Sequence, residues 1–326
     1  TGVQTCALPI SYYAIRKGTT ITGPYEGIAL TRASLGATAL SAPLSGGRQM
    51  ALNPQMSGMK TLFDAGRAGI LMNVGPLVVP TTRTQFDNKS VPLPPKLFSH
   101  NDQQAYWQSS FQTEGSASGW GGRAADLMLS GNGASALTCI SVNGNALYLS
   151  GQQAISYQMS TTGATTVNAI KAKSLFGSSA CATALQSLLT QSGTHLLANA
   201  QTQITQRALS TYDSVANAIG TSASTALSNV FTTSGNNTLS AQLKMVARLI
   251  EKQATLGVRR QVFMVGMGGF DLHDFLPNQH PALLQKLSDA SLEFDNAMRY
   301  LGTSSQVTSF TASDFGRTLS SNGDGS

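Results

Sequence analysis

Charge is what this chain has least of. Only 11% of its 326 residues are Asp, Glu, Lys or Arg, against roughly 25% in an average soluble domain. Ser, Thr, Gln, Asn and Gly fill the surface instead, a composition common in exported proteins. The formal net charge of +6 is scattered, with Arg259-Arg260 the densest pair. No stripe interleaves basic and aromatic residues, which excludes a nucleic-acid partner. Long apolar runs are also absent: none reaches the roughly 18 to 20 residues that a membrane helix needs, so no membrane span is expected. Cysteine is scarce, with three residues in all, and its spacing fits no metal motif. Cys139 and Cys181 either form one disulfide in an oxidising compartment or stay as two buried thiols. What the chain does have is 41% hydrophobic residues, enough for a substantial core.

The first ten residues stand apart. Thr1 to Ile10 read as the translation of a common sequencing-library adapter and are set aside from fold reasoning, Cys6 with them. Such a segment is expected to pack poorly against the rest.

The densest chemistry lies near the other end. Gly266-Met-Gly-Gly-Phe-Asp-Leu-His-Asp274 follows the apolar run 261–265, and Ser313-Asp-Phe-Gly-Arg-Thr318 follows the run 307–312. Between them Leu283, Leu287, Ala290, Phe294, Ala297, Met298 and Leu301 recur at helical spacing. Pro281 fits the first turn of that helix and Gly302 its stop. A strand, helix, strand unit of this length makes the two strands parallel and close neighbours, so their carboxyl ends leave the sheet on one edge, where open α/β sheets bind ligands. Asp271, His273 and Asp314 then converge, with carboxyl oxygens expected within about 8 Å of each other or of His273. Two carboxylates and an imidazole, beside Gly268 and Gly269, suit a divalent metal ion. The same residues also read as loop caps and a solvated histidine.

Elsewhere the pattern predicts a helix over 56–67 and a buried strand over 69–74. A helix over 99–111 follows, begun by Ser99-His100-Asn101-Asp102, in which Ser99, Asn101 and Asp102 are good N-caps. Gly119-Trp-Gly-Gly-Arg123 leads into a helix over 124–129, and 138–149 alternates around Asn143-Gly144, a strong hairpin signal. Residues 160–238 turn to Ser, Thr, Ala, Gln and Asn and read as a helical insertion, with His195 on a helix surface. An amphipathic helix over 239–254 returns the chain to the site.

Gly268-Gly-Phe-Asp-Leu-His273, Ser313-Asp-Phe-Gly-Arg-Thr318 and Asn322-Gly323 resemble the DUF1501 family, placed in the alkaline phosphatase and sulfatase superfamily. Tyr12-Tyr-Ala-Ile-Arg16, Leu97-Phe-Ser-His-Asn-Asp-Gln-Gln104 and Gly119-Trp-Gly-Gly-Arg123 agree, so the resemblance runs from Ser11 onward. It implies an α/β fold in which helices sandwich a mostly parallel sheet, alkaline phosphatase-like with a helical insertion. The divisions are 1–10 (adapter-derived), 11–159 (N-terminal part of the α/β domain), 160–238 (insertion) and 239–326 (C-terminal part). The resemblance also implies that a first strand and a Gly-Gly-x-Asp-Gly turn before Tyr12, and an Asp-His-Gly segment after Ser326, are missing. In function it implies a periplasmic or secreted metal-dependent hydrolase or transferase acting on phosphate- or sulfate-type esters, small or polymeric. The alternative is a non-catalytic binding or surface-assembly protein on the same scaffold. The superfamily places its nucleophile at the start of the helix after the second strand, which makes Ser99, His100 and Asp102 candidates. Arg317 is an anion contact or a partner of Asp314, and the metal ligands are Asp271, His273 and Asp314. The sulfatase Cys/Ser-x-Pro-x-Arg signature is absent, and Phe315 stands where superfamily members commonly carry a metal-binding histidine.

Overall fold

The computed structural model describes residues 2–4, 30–41, 49–71, 74–111, 115–133, 135–165 and 167–316. Among them the helices are α1 (Ser57–Asp64), α2 (Arg83–Asp87), α3 (His100–Ser109), α4 (Trp120–Asp126) and α5 (Asn168–Lys171). They continue with α6 (Ser179–Thr190), α7 (Leu196–Ile219), α8 (Thr225–Val230), α9 (Thr238–Glu251) and α10 (Leu276–Tyr300). The strands are β1 (Gly2–Gln4), β2 (Cys139–Ser141), β3 (Tyr157–Ser160), β4 (Gly163–Ala164), β5 (Val262–Gly266) and β6 (Phe310–Ala312). They make one small mixed sheet in the order β4-β3-β2-β5-β1-β6. Pairing is parallel from β3 across to β6 and antiparallel between β3 and β4. The class is α/β.

β5 is buried at every residue, and the alternation of strand side chains explains why the run has to be apolar throughout. Phe263 and Val265 point into a cluster with Leu243 and Val246 of α9 and Leu284, Leu287 and Phe294 of α10. Val262 and Met264 join Ala125, Cys139, Tyr148 and Leu149 on the other face. Leu243, Val246, Ala247 and Ile250 of α9 are buried at the spacing of one helix face, and the Asn237 side chain caps the first turn through Ser240 N–H. Neighbouring turns of α10 hold a buried polar tie. Glu293 accepts from the Thr232 hydroxyl at 3.1 Å and from Thr233 N–H and hydroxyl at 2.8 and 2.9 Å. It also accepts from the Ser240 hydroxyl.

Several sequence expectations are corrected here. The strands 262–266 and 310–312 are parallel and end on one edge, but β1 lies between them. Gly2–Gln4 is therefore an inner strand, paired with Met264–Gly266 on one side and Phe310–Ala312 on the other, which counts against reading the segment as foreign to the fold; Thr1 and residues 5–10 lie outside the described residues. Ladder bonds use main-chain groups that every sequence carries, so an extended segment of any origin can fill the slot between two strands.

The hairpin expected around Asn143-Gly144 does not form. Cys139–Ser141 pairs in parallel with both β5 and β3 and is buried throughout; a position between two strands offers more burial than a lone hairpin. β2 ends at Ser141, and Gly144, at φ 73°, lies in the bend that follows. The antiparallel turn is instead between β3 and β4. Gly69–Leu71 belongs to no strand, and Leu71 is 88% exposed; a short apolar run carries no periodicity to separate strand from loop. α10 starts a turn earlier than Pro281 suggests, because Pro277 already supplies a first-turn proline and Pro281 lies inside the helix. Gly302, at φ 69°, does end it. Cys139 is buried, Cys181 is exposed, and neither is bridged.

Candidate functional site

The carboxyl ends of β2, β5 and β6 open onto a cavity of about 350 Å³ whose wall includes His100, Gln104, Asn143, Asp271, Asp314 and Phe315. A larger cavity of about 510 Å³ lies before the start of β5, around Gly133, Gln253 and Arg259. It has no acid and base side by side, so the smaller one is the candidate site.

α3 supplies the first wall. Its start is capped by Ser99, whose oxygen accepts from Asp102 N–H and whose hydroxyl donates to the Asp102 carboxylate. Lys96 stands 3.7 Å from the same carboxylate. Ser99 and Asp102 are thus engaged with each other, in the capping role. His100 and Gln104, one turn apart on another face of the helix, are the residues that reach the cavity.

His100 is the hub. Its Nδ1 is 2.6 Å from Asp314 Oδ2, and its Nε2 is 3.5 Å from Asp271 Oδ2. Asp271 Oδ1 is in turn 3.1 Å from His273 Nε2. The two carboxylates are not equivalent. Asp314 is only 11% exposed and also accepts from the Gln104 amide at 3.2 Å, whereas Asp271 is 52% exposed and faces solvent. The Ser313 hydroxyl fixes the loop after β6 by bonding to both the N–H and the carbonyl of Phe315. The Phe315 ring meets the imidazole edge to face at 5.1 Å between centroids.

Asp271, His273 and Asp314 are therefore brought into one chain of contacts, with His100 at its centre. As a donor set, two carboxylates and two imidazoles suit a divalent cation. Their contacts pass from His273 to Asp271, from Asp271 to His100 and from His100 to Asp314, and among the described residues no three His, Cys, Asp or Glu side chains group as a cation site. Arg317 lies outside the described residues, as do Tyr12 to Arg16 and Asn322-Gly323.

A family model described as a protein of unknown function (DUF1501) matches residues 41–325. The chain belongs to the DUF1501 family. No curated protein and no solved structure matches it.

Three polar residues of this DUF1501 site were not singled out from the sequence. Gln104 carried a usable signal, since it stands four residues after His100 on a helix and so shares its face. Asn143 read as a hairpin turn. Gln242 sits on a helix far from any motif, yet its amide donates to the Gly266 carbonyl and accepts from the Gly266 N–H, each at 2.8 Å. Only the folded chain brings it to the end of β5.

Proposed function

We propose that this is an exported hydrolase or transferase acting on phosphate- or sulfate-type esters, small or polymeric, on an alkaline phosphatase-like scaffold in which helices sandwich a mostly parallel sheet. The observation that carries the reading is the asymmetric placement of His100 between two carboxylates. Asp314, half of a tight and nearly buried contact, fixes the ring through Nδ1. Nε2 has a longer contact, 3.5 Å, to the exposed Asp271 and lies at the cavity. An imidazole oriented on one nitrogen and open on the other is the arrangement of a general base or acid. With Ser99 engaged by Asp102, the group that His100 activates is a water molecule or an acceptor hydroxyl. His100 would take its proton as the ester is attacked and return it to the leaving oxygen. A divalent metal ion held by Asp271, His273 and Asp314 would add polarisation of the ester oxygen.

The test uses the full-length protein with p-nitrophenyl phosphate and p-nitrophenyl sulfate, with and without chelator. His100→Ala is expected to lower kcat by ~10²- to 10⁴-fold at unchanged melting temperature. Turnover retained in that variant would remove the reading. Loss of turnover and of bound metal together on chelation would return Asp271, His273 and Asp314 to the role of ligands. The second reading, a binding scaffold without turnover, is favoured by Phe315, which covers a face of the imidazole where the superfamily commonly has a histidine ligand. It predicts no hydrolysis of either ester by the wild-type protein.

A further inference from the structure

The cavity holds two carboxylates, and an ester carrying anionic oxygens needs hydrogen-bond donors to offset them. The described side chains of its wall offer three. His100 is held at Nδ1 by Asp314, and its Nε2, 3.5 Å from Asp271, is the nitrogen assigned to proton transfer. The Gln104 amide donates to Asp314. Asn143 is different: its main-chain N–H is directed to the Ser141 hydroxyl oxygen, and its carboxamide has no hydrogen bond among the described residues. It is exposed, on the cavity wall, and two features of the fold hold it there.

The first is the absence of a side chain on Gly266. A Cβ at that position would stand 2.1 Å from Asn143 Nδ2 and 2.7 Å from its Cγ, so the amide occupies space that any other residue would claim. The second is Gln242, buried behind the strand, which takes both main-chain groups of Gly266 and so fixes the surface on which Asn143 rests. A neutral two-proton donor, seated on a clamped glycine beside an oriented imidazole, matches the requirement for a group that binds a non-bridging oxygen without changing its own charge.

We infer that Asn143 is the substrate-oxygen donor of this site, contacting a non-bridging oxygen of a tetrahedral phosphoryl or sulfuryl group. The inference rests on the assignment of the cavity as an ester site, and its test is kept separate from turnover. Inorganic phosphate and orthovanadate are titrated into the full-length protein, read by calorimetry and by the side-chain amide resonances of ¹⁵N-labelled asparagine. The expected result is a saturable shift of the Asn143 amide, assigned by its loss in Asn143→Ala. That variant should bind both anions at least about tenfold more weakly at unchanged melting temperature, the loss expected for one hydrogen bond to a charged group. Gly266→Ala, which displaces the amide without removing it, should weaken binding in the same direction.

Anion affinity unchanged in Asn143→Ala, or no anion binding by the wild-type protein, would overturn the inference. If His100→Ala abolishes ester turnover while Asn143→Ala leaves binding intact, the ester site stands and the role of Asn143 falls. If His100→Ala keeps turnover while Asn143→Ala loses the anion, the reverse holds.

Discussion

His100 and Asp314 are 214 positions apart and meet at 2.6 Å. The first is carried on a helix, the second on the loop after an edge strand. Their contact sets the direction in which the imidazole faces. Asp314→Asn keeps the volume and removes the charge. It is expected to lower turnover of the ester by ~10²- to 10⁴-fold while KM moves little, because the ring loses the acceptor that fixes its tautomer. Steady-state kinetics beside a thermal melt checks this; equal losses in Asp314→Asn and in thermal stability would mark a structural contact only.

A second expectation concerns packing around α4. A Cβ on Gly122 would come within 2.2 Å of the Ser150 carbonyl carbon and 2.3 Å of Gly151 N. Both are main chain and cannot swing aside, and Asp126 holds the next turn by accepting from Gln152, Gln153 and Ala154 N–H. Gly122→Ala should cost at least about 1 to 3 kcal/mol of stability, measurable by denaturant titration. An unchanged midpoint would show that this loop is free to move.

The acidity of α10 gives a pH signature. Burial, with Glu293 adding to it, pushes the Asp289 carboxyl above its ordinary range. A group whose folded value is raised contributes stability that is fully present below its unfolded value, near pKa ~3.9, and lost as pH rises through the folded value. Asp289→Asn is therefore expected to raise the melting temperature at pH 7. The gain should shrink as pH falls toward 4, where the wild-type carboxyl is itself protonated. Melting curves across that range test the sign directly.

The two described cysteines should part company toward an alkylating reagent. Burial, with a contribution from Asp126, pushes the Cys139 thiol up to about 12, and thiolate is the reactive form. Iodoacetamide at pH 8 should label Cys181 in the native protein and Cys139 only after denaturation. Peptide mapping that finds Cys139 modified under native conditions would mean that the cluster around Tyr148 opens readily.

What could be read from the sequence follows the physics of each element. α9 and α10 carry apolar residues at a spacing only a helix can use, and β5 is a short apolar run closed by Gly266, Gly268 and Gly269, so their type was legible and their boundaries nearly so. The shared edge of β5 and β6 followed from connection rules alone, which is why Asp271 and Asp314 could be placed together. Strand neighbours could not be placed, because β1 enters by main-chain pairing that leaves no side-chain pattern. Asn143-Gly144 misled for a related reason: the dipeptide favours a turn, and whether the turn joins two paired strands or ends one depends on what lies beside Cys139–Ser141. At the site, the residues found were those whose chemistry announces itself, His100 above all. The amides of Gln104, Asn143 and Gln242 reach the site only through where the fold holds them, and a neutral side chain gives no sign of that before the chain is folded.

Arg248 and Glu293 bear on the helical segment between β4 and α9. Buried Arg248 donates to the carbonyls of Ile219 and Gly220 at the end of α7, each at 3.1 Å. Glu293 gathers Thr232 and Thr233 just after α8. Opposite charges on two core helices thus grip the segment from the end of α7 to the end of α8 before the chain reaches α9. A distortion of the α6–α7 hairpin meets these two anchors first.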